Sequence, residues 1–130
     1  MAGDAASFAI AFEATGPELE ASVDGRIDGV DALLAMFSAL MDEVRRCGAR
    51  QVLVIDHTHG AVPPEDGLRR LALALDATGF GGIRLAWVDA RGTALSRMEL
   101  AEIVGREHGY DVRVFDNASR ARIWLHYGGE

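Results

Sequence analysis

Three short strand-like segments most constrain the fold, because each follows a segment with helical spacing: the continuous apolar run Val52–Ile55, then Ile83–Val88 and Val112–Phe115. A run this short, without alternation, reads as a strand buried on both faces. Strands of that kind joined by helices form a parallel sheet, and the crossovers must be right-handed. Ahead of them the period is two. Phe8, Ile10 and Phe12 alternate with Ala9, Ala11 and Glu13, and Leu19, Ala21 and Val23 alternate with Glu18, Glu20, Ser22 and Asp24. Thr15, Gly16 and Pro17 punctuate the two stretches. Two strands with one wet face and a turn between them predict an antiparallel hairpin.

The helices follow from spacing and from their ends. Val30, Leu33, Leu34, Phe37, Leu40, Met41 and Val44 lie on one face of a helix. Asp28 is placed to cap its start, and Gly48 stands just past its end, with Arg45 and Arg46 in the last turn. A loop, His57 to Pro63, leads to a second helix opened by Pro64, buried through Leu68, Leu71, Ala72 and Leu75 and ended by Gly79. Gly79, Gly81 and Gly82 read as a turn. Ser96 with Glu99 has the spacing of a capping box, so a third helix is expected from there to about His108, with Leu100, Ile103 and Val104 inward. Asn117 should cap a last helix through Trp124 and Leu125, ended by Gly128 and Gly129. The order is ββαβαβαβα: an α/β fold with a mixed five-stranded sheet, an N-terminal antiparallel hairpin and flanking helices. The 130 residues suit a single domain, with residues 1–6 as a tail.

Composition removes several functions. Thirteen Lys and Arg against 20 Asp and Glu leave a net charge of −7, and the arginines are dispersed. A phosphate backbone would be repelled, so nucleic acid is not an expected partner. Cys47 is the only cysteine, which forbids an internal disulfide and fits a reducing compartment. No stretch is apolar for long enough to span a membrane, and the N-terminus lacks the pattern of a signal peptide. The expected location is the cytoplasm.

The last strand and helix carry a family resemblance. Val112-Arg113-Val114-Phe115-Asp116 is followed by Ala121 and Trp124-Leu125, and two earlier strands also end in acids, Asp56 and Asp89. In these residues and in its element order the chain resembles the STAS superfamily, and most closely its bacterial SpoIIAA-like branch, related to the lipid-carrying Sec14 or CRAL-TRIO domains. The resemblance implies a STAS-like fold and a binding or regulatory role without an assigned reaction. Anti-sigma antagonists of this superfamily carry a phosphorylatable Ser at the start of the second helix. Here the stretch is Val62-Pro63-Pro64-Glu65-Asp66-Gly67, which has no hydroxyl, so that switch does not carry over.

Chemistry-bearing residues collect at the strand ends, where open α/β sheets bind ligands. Asp56, Asp89 and Asp116 are oxygen donors of the kind a hard cation takes, although Asp also follows strands because it bonds the turning backbone. His57 and His59 flank Thr58 at a spacing that metal ligands use, although a His pair in a loop is more often solvated. No nucleophile–base pair, phosphate loop or complete ligand set accompanies them, so neither a catalytic residue, a metal nor a cofactor is assigned. The ligand-binding candidates are Asp56, His57, Thr58, His59, Trp87 and Asp89. The second helix and its loops, roughly His57 to Phe80, are expected to cover an apolar cleft against the sheet, taking a small apolar ligand or a lipid, with Gly60, Pro63-Pro64 and Gly79 as hinges and Trp87 either lining the cleft or buried in the core.

Leu73, Phe80, Ile123 and Tyr127 fall off the buried stripes and are the candidate interface. They raise the alternative of a protein partner or a homodimer. A metal-assisted enzyme at the strand rim is the remaining alternative.

Overall fold

In a computed structural model of the chain, residues 6–127 are described, apart from Ala94 and the side chains of Ala6, Ser96 and Arg97. Residues 1–5 of the expected tail and the expected helix stop at Gly128 and Gly129 lie outside the described residues, and Ala6, the last residue of that tail, instead pairs with Ile27 as the first residue of a strand. Strands β1 (Ala6–Thr15) and β2 (Glu18–Ile27) form the hairpin, and α1 (Gly29–Cys47), β3 (Gln51–Asp56), α2 (Glu65–Leu75), β4 (Arg84–Asp89), α3 (Leu95–Glu107), β5 (Asp111–Phe115) and α4 (Ala118–Tyr127) follow. The five strands form one sheet in chain order, with β1 antiparallel to β2 and every later pair parallel.

Handedness now fixes where the helices lie. Three successive right-handed crossovers that advance in one direction put α1, α2 and α3 on the same face of the sheet. The main core lies on that face, between these helices and inward residues such as Leu19, Val52, Val54, Leu85 and Trp87. After β5 the chain turns to the other face. There α4 seals a smaller core of Leu53, Ala86, Val88, Ala121, Trp124 and Leu125. The Arg84 guanidinium stacks over the face of the Trp124 ring, 4.0 Å from its centroid.

Several local expectations needed revision. Asp28 stands at the N-cap of α1 but makes no capping bond. Its carboxylate instead accepts the Ala61 N–H at 3.1 Å and the Arg26 Nε–H at 2.7 Å, tying the loop after β3 to the end of β2. Helix α3 already runs at Leu95, so Ser96 lies within its first turn rather than at a cap. Ile103 is 53% exposed and Met98 takes the inward place, because α3 is docked between α2 and β5 along the arc of Met98, Ala101, Val104 and Gly105. At about 100° per residue, Ile103 lies nearly opposite that arc. Asn117 caps α4 as its sequence implies, accepting the Arg120 N–H at 2.9 Å.

Phe80 is the largest correction. It is 4% exposed, not a surface residue. Helix α2 ends at Leu75, and a tight turn to Gly79, in left-handed conformation at φ 86°, swings Phe80 back under the helix. Leu73, Ile123 and Tyr127 are exposed as their spacing implied. Leu73 lies on α2 and the other two on α4, on opposite faces of the sheet, so the four residues do not form one surface.

Candidate functional site

The region beneath α2 is filled by rings. Phe37 of α1 meets the Trp87 ring edge-on at 5.4 Å and the Phe80 ring at 5.5 Å, and Phe80 meets Tyr110 at 4.9 Å. Edge-to-face pairs of this kind are the favoured arrangement of aromatic quadrupoles. Helix α2 leans on α1 and α3 and bridges them above this cluster. Gly67 permits the close approach on the α1 side, since a Cβ there would come within 2.8 Å of Val30. Between α2, α3 and the rings lies an apolar cavity of about 40 Å³, walled by Leu71, Leu75, Phe80, Trp87, Val104 and Tyr110 among others. That is room for a water-sized group. A larger guest requires α2 to move outward.

Both ends of the α2 segment are fastened. At the near end the loop continues the β2–β3 ladder by backbone alone: His57 N–H bonds Val23 C=O, His59 N–H bonds Gly25 C=O, and Ile27 N–H bonds His59 C=O, all within 2.9 Å. Gly60, expected to be a hinge, is wedged here, with φ 120° and a position where a Cβ would fall 1.9 Å from the Ile27 carbonyl oxygen. At the far end the Tyr110 hydroxyl lies 2.5 Å from the Ala72 carbonyl and 2.7 Å from Asp76 Oδ1, and His108 Nε2 lies 2.9 Å from Asp76 Oδ2. Burial, and then the adjacent Asp76 carboxylate, push the Tyr110 hydroxyl well above its ordinary range, so it stays protonated. No sequence signal marked this lock, because Asp76 lies more than 30 residues from both His108 and Tyr110.

The two fastening carboxylates are acid-sensitive. The bond from Tyr110, and then that from His108, hold Asp76 below its ordinary value of 3.8, and the bond from Ala61, and then that from Arg26, do the same for Asp28. A carboxylate depressed on folding contributes stability above its unfolded pKa, and the contribution is lost as the pH falls through the folded value. Asp76→Asn should therefore be less stable than the native chain at neutral pH, and the difference should vanish well below pH 3.8. Urea unfolding at the two pH values measures it. A difference that grew in acid would exclude the lock.

On the other side of Trp87 lies a polar pocket of about 30 Å³, bounded by Asp56, Thr58, Trp87, Asp89, Ala61 and Met98 among others. Asp56 and Asp89 are register partners on adjacent strands and are 9% and 5% exposed. Asp56 Oδ2 accepts the Trp87 indole N–H at 2.9 Å, and Oδ1 accepts the Thr58 N–H at 2.8 Å and its hydroxyl at 2.6 Å. Asp89 Oδ1 accepts the Gly92 N–H at 3.1 Å. Of the six ligand-binding candidates the fold thus gathers four, Asp56, Thr58, Trp87 and Asp89, about one pocket. His57 and His59 are exposed and do not line it. Asp116 is exposed and faces Arg120 at 3.7 Å. Among the described residues no three His, Cys, Asp or Glu side chains converge as a metal site would require, and no helix is long and apolar enough to cross a membrane.

No protein-family model matches the chain, and no curated protein matches it in sequence. Among solved structures it is similar to the crystal structure of an uncharacterized protein of the DUF3478 family, with a SpoIIAA-like fold, from Shewanella loihica PV-4. That likeness covers 96% of this chain and 98% of the other, with 13% identity and a TM-score of 0.49.

Proposed function

We propose that the chain is a non-enzymatic, STAS-like binding domain of the cytoplasm, and that it holds a small, uncharged apolar ligand beneath α2. The observation that carries this reading is the apolar cavity under a helix that stands on its two neighbouring helices. Trp87 is the wall shared by that cavity and the polar pocket. An apolar ligand tail would lie against the Phe37–Phe80–Tyr110 side. A terminal hydroxyl would reach the polar pocket bounded by Asp56, Thr58 and Asp89. Each methylene taken from water contributes about 0.8 kcal/mol, so a chain of several carbons offsets some displacement of α2. The net charge of −7 disfavours an anionic ligand.

Native mass spectrometry with decanol as the probe tests this. The native chain should retain one decanol per chain. Ala101→Val, which adds two methyl groups at the cavity wall, should fold normally and retain little. Absence of uptake by the native chain, or equal uptake by the variant, contradicts the proposal.

A further inference from the structure

We infer that the outer edge of β1 is a dimerisation surface, at which a second copy of this chain adds its own β1 antiparallel and joins the two five-stranded sheets into one. The two sheet edges are treated differently. On the β5 edge the Val114 N–H is taken by the Glu102 side chain at 3.0 Å, and α3 packs beside the strand. On the β1 edge, among the described residues, no side chain or loop bonds the outward backbone groups. A free edge normally carries a Lys, a Pro or a bulge that blocks pairing. Ala6–Thr15 has no Lys, Arg or Pro, its pairing with β2 is unbroken over all ten residues, and Glu13 is its single charge.

The occupant follows from self-complementarity. A two-fold axis at Ile10, perpendicular to the sheet, sets Phe8 opposite the second copy's Phe12, Ala9 opposite its Ala11 and Ser7 opposite its Glu13. Directly opposed residues share a face in an antiparallel pair, so the phenylalanines and Ile10 form a continuous apolar row on the α1 side. Phe12, 36% exposed in the single chain, is covered in that row. The one charge on each strand meets a hydroxyl rather than a like charge.

Light scattering on the full chain, paired with two charge variants, tests the inference. Ala9 and Ala11 are exposed on the wet face, so substitution there spares the core. Ala9→Lys/Ala11→Lys sets Lys against Lys across the axis, and Ala9→Glu/Ala11→Glu sets Glu against Glu. The native chain should have twice the single-chain mass. Each variant should have the single-chain mass with unchanged circular dichroism, and mixing the two variants should restore the doubled mass. A single-chain mass for the native protein overturns the inference, including the case in which a foreign strand is then found on β1. Variants that stay dimeric overturn it as well.

Discussion

Phe80→Ala should destabilise the chain by about 3–5 kcal/mol and lower its Tm by roughly 10–20 °C. The ring is buried between Phe37 and Tyr110 and supports the far end of α2 from below. Deleting it loses both edge-to-face contacts and enlarges the cavity already present there. Nearby Leu73, 64% exposed, provides the contrast. Leu73→Ala should change stability by no more than about 0.5 kcal/mol. Urea unfolding of the two variants compares them directly. A small effect at Phe80 would mean that the segment after α2 is not packed as described.

Asp56→Ala should cost about 3–5 kcal/mol, although no other charge has to be broken from it. Three donors converge on this carboxylate: the Trp87 indole, the Thr58 amide and the Thr58 hydroxyl. Truncation strands the indole N–H in a buried place, and leaving a buried donor unmet costs about 1–3 kcal/mol on top of the bonds lost. Asp56→Asn should fall between the alanine variant and the native chain. The amide oxygen still serves one side of the site, and the amide nitrogen then faces donors on the other. Equal stability of all three proteins by urea unfolding would contradict a structural role for Asp56. Among the described residues the strand-end acids do not gather into a group of three. Asp56 is engaged by its own neighbours, and Asp116 faces solvent and Arg120.

Much of the fold was legible because its signals are local. Alternation in Phe8–Phe12 and Leu19–Val23, the α1 stripe and the Asn117 cap each depend on residues within a few positions of one another, and each is found where the spacing put it. What failed depended on docking. Ile103 fits a helical stripe as well as Met98 does, and only the placement of α3 between α2 and β5 decides which is buried. Phe80 follows a glycine and looks like a loop residue until the turn at Gly79 folds it beneath α2. Asp28 has the identity and position of a cap, but a loop 33 residues away offers it the Ala61 N–H instead. At the candidate site, strand-end position was enough to indicate Asp56 and Asp89, since register brings adjacent strand ends together. It could not indicate Tyr110, His108 and Asp76, whose partnership exists only once α2 and α3 are side by side.

Hydrogen exchange along α2, with and without decanol, bears most directly on the proposal that this helix covers an apolar binding site. The amides of Leu68–Leu75 should change their exchange rates on addition of the probe, and those of α4, on the opposite face of the sheet, should not. Unchanged exchange in α2 at probe concentrations that saturate any uptake would contradict a binding site beneath it.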